Sequence, residues 1–131
     1  MKKSFVLIIV VLISLFLMIS SSLNSNPQSK DHFFETVLDK TISSSTAGKT
    51  VDLSGFKEYS VLARFQGQPN GTFALEFGHN NITVIREELK LNAQGWLNLA
   101  KVYPVYAPRV GCAVYNPPPN TKVKIMIYAG H

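Results

Sequence analysis

Apolar and polar residues alternate along much of the chain beyond residue 50. In "EYSVLARF", Tyr59, Val61, Ala63 and Phe65 fall on one side, and Ser60, Leu62 and Arg64 on the other. Successive side chains of a strand point to opposite faces, so this period of two predicts a strand with one face buried. The rhythm returns in Phe73, Leu75 and Phe77, and again in Val123, Ile125 and Ile127 set against Lys122, Lys124 and Met126. Further strands are expected over residues 82–91, 97–106 and 109–115, with Pro104 marking an edge position or a break. Residues 32–42 mix helical and alternating spacing and are read as an edge strand in preference to a short helix.

Turn residues punctuate these runs. Ser54 and Gly55 end "VDLSG", and "GQPNGTF" carries Asn70 next to Gly71, which predicts a hairpin. "GHNN", "NAQGW" and "NPPPN" mark further turns. Roughly six or seven short strands separated by such turns predict an all-β fold, an antiparallel β-sandwich of jelly-roll-like kind. A parallel α/β arrangement needs helices between its strands, and none is visible in this part of the chain.

The N-terminus follows a different rule. Lys2 and Lys3 precede an apolar stretch over residues 5–19, interrupted only by Ser14, and Ser20, Ser21 and Ser22 follow. That order fits a secretory signal peptide. A retained membrane anchor is the rival, because residues 5–23 approach the roughly 20 apolar residues that span a bilayer. Either way the lysines stay cytoplasmic and the rest is exported. The expected division is a leader or anchor over 1–23, a polar linker over 24–32 and a β-domain over 33–131. Contact with a membrane is expected only through residues 5–23, if they are retained. No cysteine lies near the serines, which excludes a lipid-modified cysteine as the anchor.

Charge and cysteine usage narrow the function. Of 13 basic residues, Lys2 and Lys3 belong to the leader, leaving 11 against 8 acidic ones, a net charge of +3. That supports weak attraction to anionic polymers and argues against a dedicated nucleic-acid binder. Cys112 is the single cysteine, so no intrachain disulfide can form, and its apolar neighbours predict a buried, inert thiol.

The segment "TVDLSGFKEYSVLARF", the turns after it and the ending "VYAPRVGCAVYNPPPNTKVKIMIYAG" resemble small secreted bacterial jelly-roll modules. These belong to the galactose-binding-like, carbohydrate-module class of sandwiches. The likeness covers about residues 33–130 and concerns architecture; no diagnostic functional motif comes with it. It implies a β-sandwich of a kind that often binds sugars or cell-envelope components. No binding residue carries over position by position, since fold does not bring function with it.

Candidate chemistry is read from the residues themselves. His32, His79 and His131 lie apart, and no nucleophile elbow, phosphate loop or zinc spacing is present. A triad of Ser54, His79 and Asp52 is the remaining hydrolase option. Glu87 and Glu88 point to opposite faces of a strand, so they do not flank one bond and read as a solvated strand end. The scattered carboxylates give no calcium-loop spacing, so no metal or other cofactor is expected. Aromatics are the richer set. Sugars dock on exposed rings while nearby amides and guanidinium groups bond their hydroxyls. Trp96, Tyr103, Tyr106 and Tyr115, with Arg109, Asn116 and Asn120, form the candidate ligand set; the competing role for Trp96 and the tyrosines is filling the core. Lys101, Lys122 and Lys124 are expected on an exposed sheet face near Arg109, where strand lysines block edge-to-edge pairing. Pro117, Pro118 and Pro119 make a rigid, solvent-facing loop whose structural role is favoured over binding.

These readings converge on an exported, non-catalytic module whose expected partner is a glycan or an anionic envelope polymer. The alternative is a structural or protein-interaction domain at the cell surface.

Overall fold

The computed structural model describes residues 31–130. The expected leader, the linker before Asp31, and His131 lie outside the described residues. His32, assigned to the linker on sequence, opens the first strand. Nine strands follow: β1 (His32–Ile42), β2 (Thr46–Ala47), β3 (Val51–Asp52), β4 (Glu58–Gln66), β5 (Thr72–His79), β6 (Ile82–Lys90), β7 (Trp96–Pro104), β8 (Arg109–Tyr115) and β9 (Thr121–Gly130). One sheet has the order β1-β9-β4-β7, and the other β2-β8-β5-β6 with β3 also paired to β8. All pairings are antiparallel. The expected β-sandwich is therefore present, and β1 is an edge strand as read from sequence.

Counting β2 and β3 as one interrupted strand, every connection except the β5–β6 hairpin crosses between the sheets. That is the Greek-key winding of a jelly roll. It corrects one expectation. The turn at Asn70 and Gly71 is not a hairpin, because β4 and β5 belong to different sheets. Asn70 takes a left-handed φ of 59° and the Gly71 amide donates to the Gln68 carbonyl at 3.0 Å. The two-residue hairpin forms instead at Asn80 and Asn81, with φ of 50° and 66°. Two successive positive φ values match the twist of the flanking strands. His79, expected in that turn, is the last residue of β5, opposite Ile82.

The inward positions of both sheets make one core. Tyr59, Val61 and Phe65 of β4 and Ile125 and Ile127 of β9 face Phe73, Leu75 and Phe77 of β5 and Val110 and Val114 of β8. Phe65 meets Phe73 with ring centroids 4.7 Å apart, and Tyr59 meets Phe77 edge-on at 6.0 Å. Each such side chain contributes about 1.5–3 kcal/mol on burial. Cys112 lies in this core, and burial pushes its thiol up to about 11. Its burial matches the expectation from its neighbours.

One open side of the sandwich is closed by a polar seam. Edge strands β6 and β7 face each other across the two sheets, and Glu87 points inward from β6. It accepts from Lys101 Nζ at 2.9 Å and from the Tyr103 hydroxyl at 3.0 Å. The Lys101 bond outweighs desolvation and holds the Glu87 carboxyl below its usual range. Glu87 is thus not the solvated strand end read from sequence; Glu88, on the opposite face, is exposed and bonded to Arg86.

The proline segment is an arch between sheets. Pro117 is buried, which corrects the wholly solvent-facing loop expected from sequence. The Asn116 and Asn120 amides donate to Ser45 and Ser43 hydroxyls at 3.0 and 2.9 Å. Both asparagines adopt left-handed φ, 52° and 58°, so they act as turn residues at the ends of the arch.

Two glycines with positive φ separate conformational from steric cost. Gly55 has φ 88° with open space around a would-be Cβ, whereas at Gly95, φ 81°, that atom would lie 2.1 Å from the Gly67 carbonyl oxygen. Gly55→Ala is expected to cost about 1–2 kcal/mol through left-handed strain alone. Gly95→Ala is expected to cost more, since backbone must move. Urea midpoints at unchanged slope measure both; equal losses would refute the close approach at Gly95.

Candidate functional site

The outer face of the β1-β9-β4-β7 sheet carries the site. Its side chains are set by the same alternation that fills the core. Because Val61, Ala63 and Phe65 turn inward, Leu62, Arg64 and Gln66 turn outward. Register then stacks them in rows across the sheet. Gln66 pairs with Lys122 on one side and Trp96 on the other, and Arg64 pairs with Lys124 and Asn98. Asp39 extends the second row on β1 and Thr41 the first. Two rows further along lie Leu62 with Met126 and Ala100, then Ser60 with Tyr128 and Val102.

Two shallow depressions mark this surface. One, of about 260 Å³, is bounded by Trp96, Gln66, Arg64, Asp39, Lys122 and Lys124. The second, of about 370 Å³, is bounded by Arg64, Lys124, Asn98, Leu62, Ala100 and Met126. They share Arg64 and Lys124, so together they form one groove with an aromatic end and an apolar end.

Trp96 is held rigidly at the aromatic end. Its amide donates to Asn92 Oδ1 at 2.9 Å, and its carbonyl accepts from the Asn92 amide at 2.9 Å. Gly95 beside it accepts from the Gly67 amide at 2.9 Å. The indole is left 40% exposed. Fixing the backbone in advance removes an ordering cost from any binding event at this ring.

The groove is net basic, with Asp39 as its acidic group, and its cations form no ion pairs. Among the described residues, Lys49, Arg86 and Lys101 each form ion pairs, with Glu35, with Glu76 and Glu88, and with Glu87. Arg64, Lys122 and Lys124 form none; Arg64 Nε makes only a long 3.4 Å contact to Asn98 Oδ1. The lysines on β9 also do not protect a sheet edge, because β9 and β4 are the two central strands. Lys101 is on edge strand β7, but it turns to the Glu87 seam and does not share the face of Lys122 and Lys124.

The seven residues singled out from sequence do not converge. Trp96 lies in the groove. Tyr103 points inward at 9% exposure, packed on Tyr59 and Phe77, with its hydroxyl on Glu87. Arg109 and Tyr115 border a small trough on the outer face of the other sheet. Tyr106 lies beyond the far end of β7, its ring edge-on to His79 at 5.4 Å. Asn116 and Asn120 serve the proline arch. Arg64, Gln66 and Asn98, which share the groove with Trp96, were absent from the sequence-derived ligand set. Strand register, which joins β4 to both β7 and β9, is the signal that brings them together, and a period of two does not reveal it.

The hydrolase arrangement is not assembled. Ser54 donates to Asp52 Oδ1 through its amide at 2.9 Å and its hydroxyl at 2.5 Å, a local turn. His79 is 2% exposed between Tyr59 and Tyr106, and neither ring nitrogen meets a partner within hydrogen-bond geometry. No group of three or more His, Cys, Asp or Glu residues positioned to hold a metal occurs among the described residues.

Comparison with known proteins adds likeness of architecture. No protein-family model matches the chain. No curated protein matches it either. Among solved structures, a carbohydrate-binding module of lichenase 5A from Cellvibrio mixtus, in complex with cellotriose, is similar at TM-score 0.47 and 17% identity, covering 82% of this chain and 94% of that one. The C-terminal module of the laminarinase LamC from Zobellia galactanivorans is similar at TM-score 0.48 and 14% identity, covering 81% and 94%. The insecticidal delta-endotoxin Cry8Ea1 from Bacillus thuringiensis is similar at TM-score 0.44 and 14% identity; the match spans 68% of this chain and only 18% of the toxin. These are fold-level similarities to β-sandwiches, and what any site here does rests on its own side chains.

Burial lowers the His79 pKa below its ordinary value, partly offset by the Pro104 carbonyl. The folded ring therefore takes its proton at lower pH than the unfolded ring, whose ordinary value is about 6.5. Stability is therefore expected to be flat above about pH 6.5 and to fall as pH drops below it, where the unfolded chain binds the extra proton. Urea midpoints at pH 7.5 and 5.5 test this. The drop is expected to be larger in the native protein than in His79→Phe; equal drops would show that His79 is not the titrating group.

Proposed function

We propose that the chain is an exported, non-catalytic β-sandwich module that binds carbohydrate or cell-envelope polymer across the outer face of the β1-β9-β4-β7 sheet. The observation that carries this reading is Trp96. A Trp ring is among the largest apolar surfaces a chain can bury, yet this one is held outward on a backbone fixed from both sides. It stands beside Gln66, Arg64 and Asn98. A flat apolar ring flanked by hydrogen-bonding groups suits a sugar, whose C–H face is apolar and whose rim is hydroxylated. Export is supported by the leader-like segment over residues 1–23. A site on the outer face of the cytoplasmic membrane, or a secreted location, follows from that.

A protein-interaction role is favoured by a different observation. Phe34 and Val102, 61% and 59% exposed, stand with Leu62 at the apolar end of the same face. An exposed apolar cluster of this kind is a common mark of protein contact.

A glycan array followed by equilibrium titration separates the two. Trp96→Ala is expected to weaken glycan binding at least tenfold, about 1.4 kcal/mol. Tyr106→Ala, beyond the far end of β7, a strand about 26 Å long, is expected to leave it unchanged. Blank arrays together with a stable oligomer in light scattering would replace glycan binding with assembly.

A further inference from the structure

The reading above leaves open which polymer the groove takes, and the cations on it are informative. Lys122 and Lys124 project from the same face of β9, and Arg64 is the register partner of Lys124 on β4. Strand geometry spaces side chains two residues apart by about 6.7 Å and those on neighbouring strands by about 5 Å. The three side chains therefore leave the sheet within about 5–8 Å of one another. Cross-strand like charges destabilise a sheet, and here no carboxylate pairs with any of the three to relieve the repulsion. Asp39 borders the same depression on β1 without forming an ion pair, and Lys40 borders it from the same strand. Lys40, Arg64, Lys122 and Lys124 against Asp39 give a local excess of +3, equal to the net charge beyond the leader. Three of these cations, Arg64, Lys122 and Lys124, project from the outer face of the two central strands next to the exposed Trp96, and Lys40 and Asp39 border them from edge strand β1.

We propose that the groove binds an acidic polysaccharide, a sugar chain bearing an anionic group on successive units. This deepens the carbohydrate reading and rests on it. Arg64, Lys122 and Lys124 take the anionic groups, and Trp96 takes the apolar face of one ring. The spacing of the cations, set by the sheet, is comparable with the length of one sugar unit, so successive anions on one chain can each meet a cation. Arg64 offers a planar fork to a carboxylate, while the lysines act as point charges on flexible stems. A neutral sugar has no use for three unpaired cations, and a bare polyanion has none for an exposed indole.

Four probes test the assignment against the purified protein: polygalacturonate, its fully methyl-esterified form, cellotriose, and vesicles containing phosphatidylglycerol. Polygalacturonate is expected to bind at least tenfold more tightly than its methyl ester, and to weaken steeply between 50 and 300 mM salt. The double variant Lys122→Gln/Lys124→Gln, and separately Arg64→Gln, are expected to remove most of that preference while changing binding of the methyl ester less than twofold. Trp96→Ala should weaken both polymers. Lys49→Gln, which removes an exposed cation elsewhere, should change neither. Equal binding of the acidic and esterified polymers would overturn the proposal and leave the carbohydrate reading standing. Loss of the same size in Lys49→Gln would reduce the effect to net charge and overturn it as well. Vesicle binding tighter than polygalacturonate binding would assign the cations to a lipid surface instead. Failure to bind any of the three carbohydrates would remove both readings.

Discussion

The pairing of β4 with β9 is the constraint on which the rest of the structure depends. These are the two central strands of their sheet, and each obeys a strict alternation. Residues 61, 63 and 65 lie opposite residues 127, 125 and 123, all turned into the core. The intervening residues must then turn out. A one-residue slip of β4 would drive Arg64 into the interior and expose Phe65, and a slip of β9 would do the same with Lys124 and Ile125, exchanging favourable burial for desolvated charge. The core therefore selects a single register, and that register builds the groove. Arg64, Lys122 and Lys124 are juxtaposed because Val61, Phe65, Val123 and Ile125 cannot be anywhere else.

The ends and edges of the sandwich do the remaining work of holding this pair in place. With a single cysteine, the chain has no disulfide to close its long crossovers. Closure comes instead from specific backbone contacts. Gly67 and Gly95 bring the β4–β5 crossover onto the turn before β7, and Ser43 and Ser45 tie the first crossover to the proline arch. At the β6–β7 side, an inward glutamate meets a lysine and a tyrosine from the opposite sheet. An inward-pointing charge also discourages another chain from adding to those edge strands. The Gly67–Gly95 contact that closes the crossover lies next to the Asn92 bonds that hold the Trp96 backbone, so one turn both seals the fold and positions the ring.

Much of this was legible in the chain, and the limits have a physical cause. Alternation is a property of one strand at a time, so β4, β5 and β9 and the faces of their residues could be read directly. Which strand lies beside which is a property of the winding, and local residues carry little of it. Asn70 and Gly71 illustrate this. A left-handed Asn at a turn occurs in a hairpin and in a crossover alike, and only the destination of β5 separates them. The tyrosines show the same limit. Trp96 and Tyr103 lie on one strand, seven positions apart, so an odd spacing sends them to opposite faces. Composition marks both as aromatic; only the register on β4 says which one faces the core. Glu87 departs from the strand-end expectation because its partners, Lys101 and Tyr103, arrive from the other sheet.

The two outer faces of the sandwich differ in a way that bears on function. On the β2-β8-β5-β6 sheet, Arg86 bridges Glu76 and Glu88, while Lys90 and Arg109 stand apart from that cluster without ion pairs. On the β1-β9-β4-β7 sheet, three cations stand together without an ion pair, and Asp39 is the carboxylate in their rows. Both faces belong to one chain in one solvent, and both need only enough charge to stay soluble. Solubility is served equally well by paired or by separated charges, so it does not explain a cluster of like charge on central strands. Edge protection does not explain it either, since neither strand is an edge. That contrast, with the exposed indole beside the cluster, is what supports the proposal of an anionic ligand bearing an apolar face.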